Sequence, residues 1–366
     1  MVIFLNLLSF ASFGVNCIFE NGVVTASGDG TLNQTDVTNA VTSKGKSITD
    51  IKKVKIKDGI TSINWYAFDG CSALSRITIP KSVKTIGIYA FNNCTSLETV
   101  IFAEDSILEG ISTCVFQNCS KLKNITIPNN VKTIGDGAFY CCKALESITI
   151  PNNVTNIYYQ AFAYCSSLTN VTIQGVVTSI SKEAFMFCAN LKTVTFQEGS
   201  TLKTIDEKAF YGCISLESIV IPGSVMSIGD NAFGLCTALN RGNVYYIGTE
   251  AKWDNITIYD KNDPLTSAKR HYSNILTVKK VWEDNNNSGL RSKPQLVLCV
   301  KKSGSGYDEI NNGYEKKYIQ YDFTYKNGAE KKEWQCKILI CDFEEGSTYA
   351  VGEKRMKGYT SNAYVD

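Results

Sequence analysis

Between Phe68 and Leu239, apolar and polar positions follow one template: Cys-x-x-Leu-x-x-Ile-x-Ile, then Val-x-x-Ile, then Ala-Phe. The segment CSSLTNVTIQGVVTSISKEAFMF, which begins at Cys165, shows the unit in full. Its Leu-x-x-Ile-x-Ile part alternates apolar and polar residues and favours β-branched side chains, the pattern of a short strand with one buried face. Pairs such as Ile125/Ile127, Ile148/Ile150 and Val171/Ile173 are expected to point inward. Pro80, Pro128, Pro151 and Pro222 follow the strands directly, where a missing amide donor ends a ladder instead of interrupting it. Each unit is thus expected to contribute one strand. The rest returns through a turn and a short helical or 3₁₀ segment whose Phe plugs the core from behind the sheet.

The template keeps a strict period. Eight times a Phe is followed three residues later by Cys and six residues later by Leu, from Phe68/Cys71/Leu74 to Phe233/Cys236/Leu239. Successive ladder Cys residues are 23, 25, 23, 23, 23, 25 and 23 positions apart. Self-similarity at such a period predicts a stacked repeat protein, with strands about 4.8 Å apart in a long parallel sheet. The two longer units carry FAEDSILEGI and FQEGSTLKTI just after the strand, so their extra residues should bulge at one edge without shifting the register. At the N-terminal end, ITDIKKVKIKDGITSI reads as a first repeat whose strand region carries Lys52, Lys53, Lys55 and Lys57, a polar rung suited to face solvent. Residues 17–50 carry the turn signals Asn21-Gly22 and Gly28-Asp29-Gly30 and are expected to form a hairpin-like N-terminal cap.

Over residues 51–272 these motifs resemble the BspA-like leucine-rich repeats of surface and secreted proteins of bacteria and some parasitic protists. The resemblance implies a repeat solenoid, a leucine-rich repeat with a parallel β-sheet on its concave face. The segment VYYIGTEAKWDNITIYDKNDPLTSAKRHYS looks like the closing cap of such arrays, with Trp253 and Tyr245 sealing the last rung.

After Ser273 the period is lost, and ILTVKKVWEDNNNSGLRSKPQLVLCVKK begins an alternation typical of an all-β sandwich, so a separate domain is expected over residues 273–366. Lys280-Val281-Trp282-Glu283-Asp284, Arg291, Trp334 and YAVGEKRMKGYTS resemble the Cna B-type domain, a small immunoglobulin-like stalk or adhesion module. In that family a buried Lys of the first strand can condense with an Asn of the last strand, assisted by an acid. By position the resemblance makes Lys280 the amine and Glu353 the acid. The Asn should lie on a strand after GYTS, where Asn362 stands too early. An ordinary strand lysine is therefore the favoured reading, and the missing strand leaves open a truncated or degenerate domain or one completed by a strand from another molecule. DNNNSG, from Asp284, matches the first half of a calcium loop, but Gln295 stands where a bidentate Glu is needed, so an exposed turn is expected and no metal site.

Composition narrows the chemistry. A net charge of +2 from 37 basic and 35 acidic residues gives no general field to attract nucleic acid or an anionic membrane. The single histidine, His271, has no Cys, Asp or Glu cluster around it in sequence, so it reads as an exposed loop residue and not as a catalytic or zinc-binding one. No nucleophile-base pair, phosphate loop or cofactor motif appears, and the chain reads as non-enzymatic without a cofactor. Fourteen Cys invite a disulfide framework, but that inference belongs to short chains lacking a core. The ladder thiols are read as free and buried, while a Cys114–Cys141 bridge stays open. The apolar run from Val2 to Phe13 suits a signal peptide over residues 1–16, and no later stretch reaches the roughly 20 apolar residues of a membrane helix.

What remains is a surface. Residues between the inward pairs make the open sheet face: Thr78, Ile101, Thr126, Thr149, Thr172, Thr195 and Val220, beside Arg76, Thr99, Asn124, Ser147, Asn170, Thr193 and Ser218. Of these, Thr78, Asn124, Thr126, Thr149, Asn170, Thr172 and Thr195 are the candidate binding residues. The expected function is secreted or cell-surface adhesion to an extracellular protein or glycan. The alternative is a matrix protein that self-associates through the sheet edge or the incomplete sandwich.

Overall fold

A computed structural model describes residues 14–197 and 199–281 and, beyond them, the strand segments 296–301, 307–309, 321–325, 333–341 and 348–353; side chains are described as far as Tyr272. The signal-peptide run, the DNNNSG turn and Asn362 lie outside the described residues. Contacts divide the chain into two units, residues 1–244 with 254–269, and residues 245–253 with 270–366.

The first unit opens with a hairpin of β1 (Asn16–Glu20) and β2 (Val23–Ser27), as the Asn-Gly signal predicts. Asn21 and Gly22 hold φ of 51° and 81°, the two positive values a type I′ turn requires. After β3 (Gly30–Leu32) comes α1 (Gln34–Thr42), which buries Val37, Ala40 and Val41 at i, i+3 and i+4 spacing. The Asn33 amide donates to the Asp36 carboxylate at 2.8 Å and fixes the helix start.

From there each coil supplies two strands, not one. The pairs are β4 (Lys53–Ile56) and β5 (Ile60–Ile63), β6 (Arg76–Ile79) and β7 (Thr85–Ile86), β8 (Thr99–Phe102) and β9 (Gly110–Ile111), then β10 (Asn124–Ile125) and β11 (Thr133–Ile134). They continue with β12 (Ser147–Ile150) and β13 (Asn156–Ile157), β14 (Asn170–Ile173) and β15 (Ser179–Ile180), β16 (Thr193–Phe196) and β17 (Thr204–Ile205), and β18 (Ser218–Ile221) and β19 (Ser227–Ile228). First strands stack in parallel as a wide sheet, and second strands stack in parallel as a narrow one. The narrow strand comes from the Val-x-x-Ile motif, whose Ile is buried in every coil from Ile86 to Ile228. With two residues in most coils it is too short to show an alternation in sequence.

From β12 to β16 the register is kept, with Ser147, Asn170 and Thr193 aligned and Thr149, Thr172 and Thr195 aligned. The two sheets are nevertheless not continuous. The narrow sheet breaks between β7 and β9, before which the first insertion lies, and the wide sheet breaks after β16, where the second begins. A third break falls between β10 and β12. Leu108 and Leu202 take the buried place that Val holds in other coils, so the extra residues leave the interior column intact.

The Ala-Phe segment is also not a helix. It is a run of tight turns: in the first coil Ala67 N–H donates to Asn64 O, Asp69 N–H to Tyr66 O and Cys71 N–H to Phe68 O. The intervening amides of Tyr66, Phe68 and Gly70 donate to Ile88, Ala90 and Asn92 of the next coil. This scheme needs positive φ two residues before and two residues after every ladder Phe, and all sixteen such positions have it, from Tyr66 and Gly70 to Asn231 and Leu235. Only three of the sixteen are Gly. Three more are Asn, which tolerates this conformation, and the other ten each accept a strain of about 1–2 kcal/mol, held by the stacked coils.

Inside, every ladder Phe is at most 1% exposed, and neighbouring rings stack with centroids 5.1–5.6 Å apart and planes within 18°. The ladder Cys are free and buried, as expected, but they are more than small hydrophobes. Cys94, Cys119, Cys142, Cys165, Cys188, Cys213 and Cys236 each donate Sγ–H to the Phe carbonyl of the preceding coil at 3.1–3.3 Å. Cys114 and Cys141 are free thiols, so the bridge between them is not formed.

A polar side chain closes the last coil. Asn262, 3% exposed and just before α2 (Asp263–Ser267), accepts from Phe233 N–H at 3.0 Å and donates to Gly229 O at 2.8 Å and Tyr259 O at 2.9 Å. Earlier ladder Phe amides bond a carbonyl of the following coil; here the Asn side chain supplies the acceptor. Asn262→Ala leaves buried backbone groups unpaired and is expected to cost about 2–4 kcal/mol. Hydrogen exchange at the Phe233 amide is the direct readout, and unchanged protection there would refute the assignment.

In the second unit Tyr246, not Tyr245, is the inward residue of the closing segment. Tyr246 is 2% exposed and meets the buried Trp253 edge-on at 5.4 Å. Tyr245 instead stacks on His271 at 4.8 Å, and His271 is buried at 7% exposure, contrary to the exposed-loop expectation, because it sits within β20 (Lys269–Val281). After β20 come β21 (Leu296–Lys301), β22 (Tyr307–Glu309), β23 (Tyr321–Tyr325), β24 (Glu333–Cys341) and β25 (Thr348–Glu353). β20 pairs antiparallel with β24 and β24 with β23, while β21 pairs antiparallel with β22 and β25.

Candidate functional site

The open face of the wide sheet is built by strand alternation. In β6, β12 and β14 every second residue is buried, which leaves the intervening positions on the outer face. Thr78, Asn124, Thr126, Thr149 and Asn170 are exposed, and Thr172 and Thr195 are half-buried. Thr149, Thr172 and Thr195 form one continuous column in register. Thr126 lies one residue past the end of β10, at the break before β12, and Thr78 is aligned with Ile101 on one side and Lys55 on the other. Val220 is buried, so the column ends before it.

Part of the polar surface is already satisfied internally. Thr193 Oγ1 donates to Asn170 Oδ1 at 2.6 Å, and Asn170 Nδ2 donates to Thr169 Oγ1 at 2.8 Å. These bonds orient the Asn170 amide without charge. The result is a row of hydroxyl and amide groups at strand spacing on a backbone fixed by two ladders, an arrangement able to accept and donate hydrogen bonds but not to activate a nucleophile.

Two features escaped the sequence reading. The first is a cationic end: Lys53 is aligned with Arg76, and Lys55 with Thr78, so three cations share one corner of the open face. They stand in template columns already identified, but Lys53 and Lys55 read as a cap and Arg76 as the first member of a neutral column. The second is an aromatic edge on the outer turns, where Tyr140, Tyr164, Phe187 and Tyr211 contact one another in sequence with centroids 5.1–5.5 Å apart. Their staggered template positions, one or two residues after the ladder Phe, hid the column.

A cavity of about 470 Å³ opens beside the β1–β2 turn, with Lys44, Lys46 and Lys52 facing Glu20 and Asp50 around its wall. Mixed charge and exposure leave it without a directional preference. Lys280 is aligned with Trp334 in the β20–β24 pair, and Glu353 with Leu296 in the β21–β25 pair; their side chains lie outside the described residues.

Parallel two-strand coils filled by columns of Leu, Ile, Phe and Cys define a leucine-rich repeat solenoid. Residues 46–168 and 155–251 match the BspA type leucine rich repeat region in six copies, and the chain belongs to that family. Similar solved structures include a leucine-rich repeat protein from Bacteroides ovatus, 26% identical over 72% of this chain and 71% of that one, with a TM-score of 0.47. A leucine-rich repeat protein of T. pallidum is 22% identical over 62% and 87% of the two chains, TM-score 0.37. A leucine-rich cell surface protein from Faecalibacterium prausnitzii is 22% identical over 66% and 94%, TM-score 0.27. No curated protein matches the chain. Among the described residues, no helix is long and apolar enough to cross a membrane.

Proposed function

We propose that this chain is a non-enzymatic, secreted or cell-surface interaction protein that holds a protein or glycan of a host or neighbouring cell against the open face of its wide sheet. The observation that carries the reading is the aligned row of Thr149, Thr172 and Thr195 beside Ser147, Asn170 and Thr193. Hydroxyls at this regular spacing on a rigid sheet are pre-organised, so little side-chain entropy is lost on binding. Family membership supports an interaction role, and the apolar run at the N-terminus supports export. The second unit serves as a spacer in this reading.

Replacing Thr126, Thr149 and Thr172 together by Glu places like charges along the column at the cost of little fold stability, since all three positions face outward. Cell-surface binding is expected to fall by at least about tenfold, a loss of roughly 1.4 kcal/mol. Retention of full binding by a folded triple variant would sink the assignment. Light scattering after size exclusion is expected to show a monomer, and stable higher assemblies would favour a matrix role instead.

A further inference from the structure

The open face is asymmetric in charge. Lys53 and Lys55 on β4 and Arg76 on β6 are exposed neighbours, with Lys53 and Arg76 directly aligned about 4.8 Å apart in strand spacing. Like charges in such positions repel, and the sheet bears that cost. Among the described residues no ion pair involves any of the three. The carboxylate on the same face is Glu20 of β1, opposite Val23 and thus two strands from Lys53. Glu98 stands in the flanking column one coil on, also without an ion pair to Arg76. From β8 to β16 the face then carries hydroxyls and amides with one aliphatic residue, Ile101, and no aromatic anchor.

We infer that the face takes an acidic polysaccharide, its carboxylates held by Lys53, Lys55 and Arg76 and its hydroxyls running along the Ser, Thr and Asn columns. This rests on the interaction reading above and adds the ligand class. Charge complementarity demands an anion at the β4–β6 corner. The rest of the face selects among anionic ligands: a protein partner wants a pocket for an aromatic or aliphatic anchor, which these columns lack, whereas a glycan presents a hydroxyl for nearly every polar group offered.

The test titrates the full chain with polygalacturonate, neutral dextran and poly-L-glutamate of matched length. Polygalacturonate is expected to bind best, to weaken as salt is raised, and to lose about tenfold in affinity in the variant Lys53→Gln/Lys55→Gln/Arg76→Gln. Thr149→Glu/Thr172→Glu is expected to weaken it as well. Equal binding of poly-L-glutamate would mean an acidic peptide and would overturn the glycan; equal binding of dextran, or indifference to the Gln variant, would overturn the role of the cations. A protein that ignores polygalacturonate yet still binds cells through the threonine column refutes only the ligand class. Loss of both refutes the interaction reading itself.

Discussion

Phe162→Ala is expected to destabilise the solenoid by about 3–5 kcal/mol, the cost of emptying a buried aromatic site that its surroundings cannot collapse into. Phe162 is fully buried and stacks on Phe139 at 5.1 Å and on Phe185 at 5.2 Å, so its removal opens a gap in the middle of the column and breaks two ring contacts at once. The ladders on either side hold the coils apart and limit relaxation. Because each coil touches only its neighbours, the break falls on the coupling between the two halves of the array. Urea unfolding should therefore show a midpoint lower by at least about 1 M and a broader transition. Tyr158→Ala supplies the control, since Tyr158 is 42% exposed and its loss should change stability by no more than about 0.5 kcal/mol. A loss below about 1 kcal/mol in Phe162→Ala would mean that the column is not the main source of cohesion.

That column was the most legible part of the molecule, for a physical reason. A ring stacked above and below by identical rings tolerates no substitution that changes its size, so Phe, Cys and Leu recur without exception and expose the period. Elements with fewer constraints were harder to read. The Ala-Phe segment, expected to be helical or 3₁₀, is instead a run of tight turns. Its true conformation had a quieter signature: none of the sixteen positive-φ positions is Val, Ile or Thr, in a chain otherwise rich in all three. Asn262 left no periodic trace because a cap occurs once. At the site, Thr149, Thr172 and Thr195 were found by alternation alone, whereas the Lys53–Arg76 neighbourhood required the register of β4 against β6.

Alkaline pH is expected to unfold the protein cooperatively, through the same thiols that fill the core. Burial pushes Cys71, Cys188 and Cys236 up from 9.0 to about 12, and raises Cys94, Cys119, Cys142, Cys165 and Cys213 for the same reason. In the unfolded chain these groups ionise near the ordinary value, while in the fold they remain protonated and seven of them donate to a Phe carbonyl. Below about pH 9 both states hold the proton and the thiols exert no pull. Above it the unfolded chain releases protons that the fold retains, so stability falls by about 1.4 kcal/mol per pH unit for each thiol. Eight thiols together cost roughly 10 kcal/mol by about pH 10, comparable to the whole stability of an ordinary domain. Urea titrations under reducing conditions at several pH values measure the slope directly. Tyr and Lys also titrate in this range, so the decisive comparison is with Cys142→Ala/Cys165→Ala/Cys188→Ala. With three of eight thiols gone, the slope should shrink by about 4 kcal/mol per pH unit, even though the variant starts from a lower stability. An unchanged slope would show that the buried thiols do not govern the alkaline limit, and that the core tolerates their ionisation at no greater cost than water does.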